Sequence, residues 1–174
     1  MADSDRIEDL EQLESWLQTQ DARISRAIAA RASLRALPAA MDAVDQDYGS
    51  ISGHNFLLAC FRATLIAGVA SIRPTPVMEK VAFAAADTAG SAAANAYGYT
   101  ARSTVLAANS ARSAAIAADS ARSAALSTAY ALRSAAIAGN SAAIFIDANN
   151  LYQGGHKDVF ASKLWFSTEH IRHS

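Results

Sequence analysis

Residues 100–140 read TARSTVLAAN, SARSAAIAAD, SARSAALSTA, then YA and LRSAAIAGN, one phrase repeated with small variations. Arg-Ser begins at Arg102, Arg112, Arg122 and Arg133, so the spacing is ten, ten and eleven residues. The bulky apolar residues Val105, Ile116, Leu126 and Ile137 keep the same beat, with alanine and serine between them. Alanine is the best helix former because it gives up no side-chain entropy on folding, so the phrase predicts helix. Unbroken from Gly98 to Gly139 it would be about 60 Å long at 1.5 Å per residue; as two helices it would fold back on itself. Ile116 to Ile137 spans 21 residues, which is about six turns at 3.5 residues per turn and predicts a left-handed supercoil. Alanine and serine at the seam let a partner backbone come closer than the usual ~8–10 Å. A ten-residue step turns the helix direction by about 80°, so the arginines form no single stripe and are expected as spaced, solvent-side charges.

Working outward, helical patterns continue on both sides. Asp5 with Glu8 marks a helix start, followed by Ile7, Leu10, Leu13 and Leu17 on one face with Trp16 beside it. A second helix is expected from about Asp21, with Ile24, Ala27, Ile28, Leu34 and Leu37 inward and Arg23, Arg26, Arg31 and Arg35 mostly on other faces. Pro38 is expected to end or kink it, and Asp42 to Gly53 to form a polar loop. A third helix is expected over His54 to Ile72, burying a stripe of Leu57, Leu58, Phe61, Leu65, Val69 and Ile72. The run Arg73 to Pro76 stops it, and Thr75 can cap a fourth helix with Pro76 at its first position and Glu79 in its first turn. Gly90 and Gly98 are the expected breaks between that start and the repeat. These elements make an all-α fold, an antiparallel helical bundle or hairpin array with long, closely packed Ala/Ser-rich helices. We read residues 1–174 as a single helical domain. Amphipathic helices occupy 1–73, repeat helices 76–139, and a helical piece with a tail 141–174.

Composition narrows the function. The 174 residues are 52% apolar, with 15 basic against 16 acidic side chains. A balance so close to neutral argues against nucleic acid, which needs a basic excess or a basic face. The one cysteine, Cys60, excludes an internal disulfide and a cysteine-only zinc site, and its apolar surroundings predict a buried, inert thiol. The acidic start MADSDRIEDLEQLE lacks the apolar core of a signal peptide, which predicts a cytoplasmic protein. Phe56 to Ile72 is apolar, but it is short for a span and carries Arg62 near its middle, at a cost of about 2.5–3.5 kcal/mol. A buried amphipathic helix accounts for it better. A membrane-surface helix is the alternative, although lysine, which such helices favour, is almost absent from the repeat. An ice-binding face is not supported, because Thr100, Thr104 and Thr128 form no eleven-residue series.

Two resemblances stand beside this reading. Trp16-Leu17, Ala29 to Pro38, Phe61-Arg62-Ala63, the alanine repeat, Asp147-Ala148 with Leu151 and Gly154, and Leu164-Trp165 occur in this order. The order resembles an alanine-rich helical module of bacterial multidomain proteins, over about Ser15 to Trp165. The resemblance implies an accessory part of a larger protein, sometimes effector-like, with no catalytic residues to carry over. The chain departs from the pattern by ending soon after Leu164-Trp165, as a shortened member would. Separately, AIFIDANNLY, Ala143 to Tyr152, is similar to the first strand and turn of NYN-type (PIN-like) nucleases. That likeness implies a metal-dependent ribonuclease in which Asp147 helps to bind Mg²⁺ or Mn²⁺ and Asn150 lies beside it. A complete PIN-like sheet needs more strands and more acidic residues than the chain supplies. The helical reading of this segment is therefore preferred, with Gly154-Gly155 as a helix stop.

Other side chains carry weaker chemical signals. Glu169, His170 and His173 could ligate a metal from one helical face, but an unliganded tail is the simpler reading. His54 reads as a helix-start residue, and Tyr97, Tyr99 and Tyr130 as cover for the seam. The serines form no nucleophile constellation. We assign no catalytic, cofactor-binding or metal residue and no cofactor. The expected function is a non-enzymatic structural or protein-interaction module. It would meet a protein partner or itself through small-residue helix faces, without nucleic acid or membrane.

Overall fold

Asp21 shows how this chain starts a helix: its Oδ1 accepts the Arg23 amide at 2.7 Å, satisfying a donor that the first turn leaves open. The computed structural model describes residues 10–45, 50–96, 102–119 and 124–140. Among these residues the helices are α1 (Leu10–Gln18), α2 (Ala22–Asp45), α3 (Ser50–Ile72), α4 (Pro76–Ala96), α5 (Arg102–Asp119) and α6 (Ala124–Ala135). A π-helical turn, Ala136–Asn140, continues α6, and no strand occurs among the described residues. The all-α fold expected from the repeat is the fold found. Thr75 caps α4 as anticipated: its Oγ1 accepts the Met78 amide at 3.2 Å, and Pro76 takes the first helical position.

Sequence neighbours lie antiparallel. The groove between α2 and α3 is lined from the first half of α2 (Ala27 to Leu34) and the second half of α3 (Thr64 to Ile72). Asn55 and Asn95 share another between α3 and α4, together with Ala59 and Ser91. The Arg112 side chain lies over Gly90 of α4, and Ser110 Oγ donates to the Ala131 carbonyl of α6 at 2.9 Å. In the first two pairs, an early part of one helix meets a late part of the other. Helix α5 sits centrally, packed against α2, α3, α4 and α6, while α1 lies on α6.

The interior is built from small side chains. Every buried residue of α4 is alanine: Ala82, Ala85, Ala86, Ala89, Ala93 and Ala96. The buried positions of α5 are alanine apart from Thr104 and Ser110. Such faces let backbones approach, and hydroxyls then reach a neighbour's carbonyl. Thr128 Oγ1 lies 2.8 Å from the Ser25 carbonyl of α2 and 2.6 Å from that of Ala124 in its own helix. Leu13, Leu17, Ile28, Phe56 and Leu132 supply the larger buried side chains.

Several expectations are corrected. Pro38 neither ends nor bounds α2, which continues to Asp45. Pro38 is exposed, so the carbonyl deprived of its partner by the missing N–H can be hydrated. Of the loop expected over Asp42 to Gly53, Asp42 to Asp45 belong to α2 and Ser50 to Gly53 to α3, and residues 46–49 lie outside the described residues. Gly90 lies inside α4 and breaks nothing; a side chain there would press on Arg112, whose Nε is 2.8 Å from the position of an added Cβ. The repeat, expected to supply one helix or two, supplies two, α5 and α6. In a single helix Ser110 and Ala131 would stand about 30 Å apart, yet they are hydrogen bonded. A 3.5-residue beat counted across that reversal carries no supercoil. Nor do the bulky residues of the repeat mark the seam: Val105 and Ile116 are half-buried, while Leu126 and Ile137 are exposed. Tyr130, expected as cover for the seam, is about half exposed. Finally, Arg26, Arg31 and Arg35 are buried, not turned outward.

The alanine seam is testable. Ala114 and Ala118 have no exposed surface, so replacing either with leucine is expected to lower stability by about 1–3 kcal/mol through overpacking. Leucine at Ala84, on the exposed side of α4, is expected to change it by less than about 0.5 kcal/mol. Urea unfolding of the three variants measures the difference.

Candidate functional site

Cys60 is fully buried in α3, and burial pushes its thiol from an ordinary 9.0 up to about 12, against a small opposing effect of its own backbone hydrogen bond. The thiolate is the reactive form, so iodoacetamide at pH 8 is expected to label Cys60 only as fast as the protein opens. The unfolded thiol ionises near pH 9 while the folded one holds its proton. Stability contributed by the thiol is therefore complete below about pH 9 and lost as pH rises towards 12. His54 is exposed on the first turns of α3. No group of three or more His, Cys, Asp or Glu side chains suited to a metal occurs among the described residues. Asp147, Asn150, Gly154, Gly155, Glu169, His170 and His173 lie outside the described residues, as do Gly98, Tyr97, Tyr99 and Arg122.

The buried polar cluster is structural. Arg26 is 3% exposed, and its Nε donates to the Ala117 carbonyl at 3.1 Å. That carbonyl belongs to the last turn of α5, where helical acceptors lack intrahelical partners and the dipole favours a cation. Glu79 Oε1, half open to water, is 3.6 Å from the Arg26 Nη2. The network joins α2, α4 and α5.

The unusual surface is α3. Its expected inward stripe points outward: Leu58 is 49% exposed, Phe61 39%, Leu65 60%, Val69 49% and Ile72 58%. Phe56, Ala59, Cys60, Ala63, Ala67 and Ala70 face the core instead. Successive residues turn about 100° around a helix, so those five bulky side chains fall within one narrow face about 21 Å long. Only Leu57 of the expected stripe is half-buried. The reason is the alanine interior: neighbouring backbones approach α3 on its small-residue face, and bulky side chains there would hold them apart.

A groove of about 320 Å³ runs beside this face between α2 and α3. Leu34 and Arg31 form one wall, Leu65, Val69 and Ile72 the other, with Thr64 and Gly68 between them. Thr64 Oγ1 is buried without a hydrogen-bond partner among the described residues. At Gly68 an added Cβ would meet nothing within 4 Å, so the groove is open there. A second cavity of about 470 Å³ between α3 and α4 is lined by Asn55, Thr88, Ser91 and Asn95 with Phe56, Ala59 and Ala92. None of its side chains ionises. By length and composition Gly53–Ile72 could also cross a membrane, although about half of it is buried in the fold.

Family models, curated proteins and solved structures yield no match to this chain. The geometry of the α3 face is therefore the functional signal to be read. Sequence reasoning found its five residues and assigned them to the wrong side. The signal available was Ala59, Ala63, Ala67 and Ala70, a small-residue face on the same helix that matches the alanine faces elsewhere.

Proposed function

We propose that this chain is a non-enzymatic structural module that acts by protein contact, with the bulky face of α3 as its contact surface. The observation that carries the reading is the exposure of Leu58, Phe61, Leu65, Val69 and Ile72 on one helix face. Together they form an apolar patch on the order of 400 Å², within the range at which monomer patches mark interaction sites. The small-residue faces of α4 and α5 are occupied inside the bundle, which leaves the α3 face as the contact surface this reading favours. Near-neutral charge fits a protein surface better than a polyanion.

A photoreactive residue in place of Leu65, expressed in the native host, tests this. We expect a discrete protein adduct from that position and none from the same probe at Asp87, on the exposed side of α4. Adducts confined to lipid, or none, would defeat the contact-module reading.

A further inference from the structure

The stripe on α3 has a symmetry that its composition alone does not require. Leu58, Phe61, Leu65, Val69 and Ile72 are spaced three, four, four and three residues apart, the same read in either direction. An antiparallel copy turned about Leu65 therefore matches the stripe to itself. Leu58 meets the partner's Ile72, Phe61 meets the partner's Val69, and Leu65 meets the partner's Leu65. The two-fold sets each edge of the stripe beside the same edge of the partner, so Arg62, exposed at the edge of the stripe, lies at the rim, where its guanidinium stays in water.

We propose that the occupant of this face is a second copy of the chain, bound isologously through α3 about a two-fold axis at Leu65. The proposal rests on the contact-module reading and names its partner. Closed two-fold dimers are the commonest soluble assembly and require such a self-complementary patch. Two stripes on the order of 400 Å² each bury about 800 Å² between them, below the ~1,200 Å² of standard specific complexes and in the range of weak, transient ones. Association is therefore weak, at micromolar concentrations. A bilayer fits the face less well: Arg62 lies at the middle of Gly53–Ile72, where a lipid-facing cation is disfavoured, and α2, α4 and α5 hold the rest of the helix.

Cysteine pairing reads the register. Cys60 is buried and can stay. Under mild oxidation Leu65→Cys is expected to form a disulfide-linked dimer. Leu58→Cys and Ile72→Cys are each expected to remain single when alone and to cross-link when mixed. Light scattering at high micromolar concentration is expected to give twice the 18.2 kDa chain mass. Leu65→Lys, which sets two cations on the axis, is expected to weaken the dimer at least ~100-fold without change in circular dichroism or thermal midpoint. A monomeric wild type, a Leu58→Cys homodimer, or a Leu65 photoadduct to the chain's own residues 141–174 would overturn the two-fold. A monomer whose Leu65 probe still marks another protein defeats the two-fold and keeps the contact module. A monomer that partitions into lipid vesicles and gives no protein adduct defeats both.

Discussion

Phe56→Ala is expected to destabilise the protein by about 3–5 kcal/mol, the range for deleting a fully buried aromatic ring. Phe56 is 2% exposed and is the largest of the fully buried side chains. It forms part of the wall between α3 and α4, beside Ala59 and Ala92. Alanine neighbours cannot swing into the vacated space, because they have no rotatable side chain; the helices themselves would have to move. The site therefore collapses poorly, and the loss belongs at the upper end of that range. For a chain of this size the thermal midpoint should fall by roughly 10 °C. Leu65→Ala, on the opposite side of the same helix and 60% exposed, is expected to change the stability of the monomer by less than about 0.5 kcal/mol. Urea unfolding at low protein concentration compares the two. If Leu65→Ala proved the more damaging, α3 would be turned over, and the bulky stripe would be core.

Arg26→Met should cost about 2–4 kcal/mol although methionine keeps much of the buried volume. The guanidinium donates to the Ala117 carbonyl at the end of α5. Its removal leaves a buried acceptor unpaired, at about 1–3 kcal/mol, and takes a cation from the negative end of the helix, typically a further ~0.3–1 kcal/mol. The ion pair with Glu79 is a lesser contribution. The Glu79 side chain is 41% exposed and stands 3.6 Å from Nη2, where water and salt screen the attraction. Glu79→Gln is therefore expected to lose no more than about 1 kcal/mol. A double-mutant cycle separates the two effects: the coupling between positions 26 and 79 should be small beside the loss from Arg26→Met alone. Equal losses from the two single variants would place the stabilisation in the ion pair and contradict the carbonyl contact.

The helices of this protein arise from local chemistry, and the sequence by itself determined them. Alanine-rich runs favour helix wherever they stand, Asp21 and Thr75 cap because their oxygens reach an open amide, and Pro76 begins a helix because its φ suits the first turn. The burial of Cys60 was equally legible from its apolar neighbours. Periodicity could not decide which face of α3 turns inward. That inference relies on polar residues marking the outer side, and α3 is apolar nearly all round, with alanine and cysteine on one face and leucine, phenylalanine, valine and isoleucine on the other. The usual preference for burying bulky side chains then picks the wrong face.

Tertiary structure decided it. Once α4 and α5 present alanine to α3, their backbones approach at short range, and a contact side built mostly of small residues meets them best. Leu58, Phe61, Leu65, Val69 and Ile72 are thereby displaced to the surface. The same close approach drew Arg26 inward, because the end of α5 left a carbonyl within its reach, 91 residues away in sequence. It also gave the repeat its fold-back, since Ser110 and Ala131 make a hydrogen bond that only two adjoining helices allow. Local composition chooses the helix; which side of it water sees depends on how near the neighbouring backbone can come.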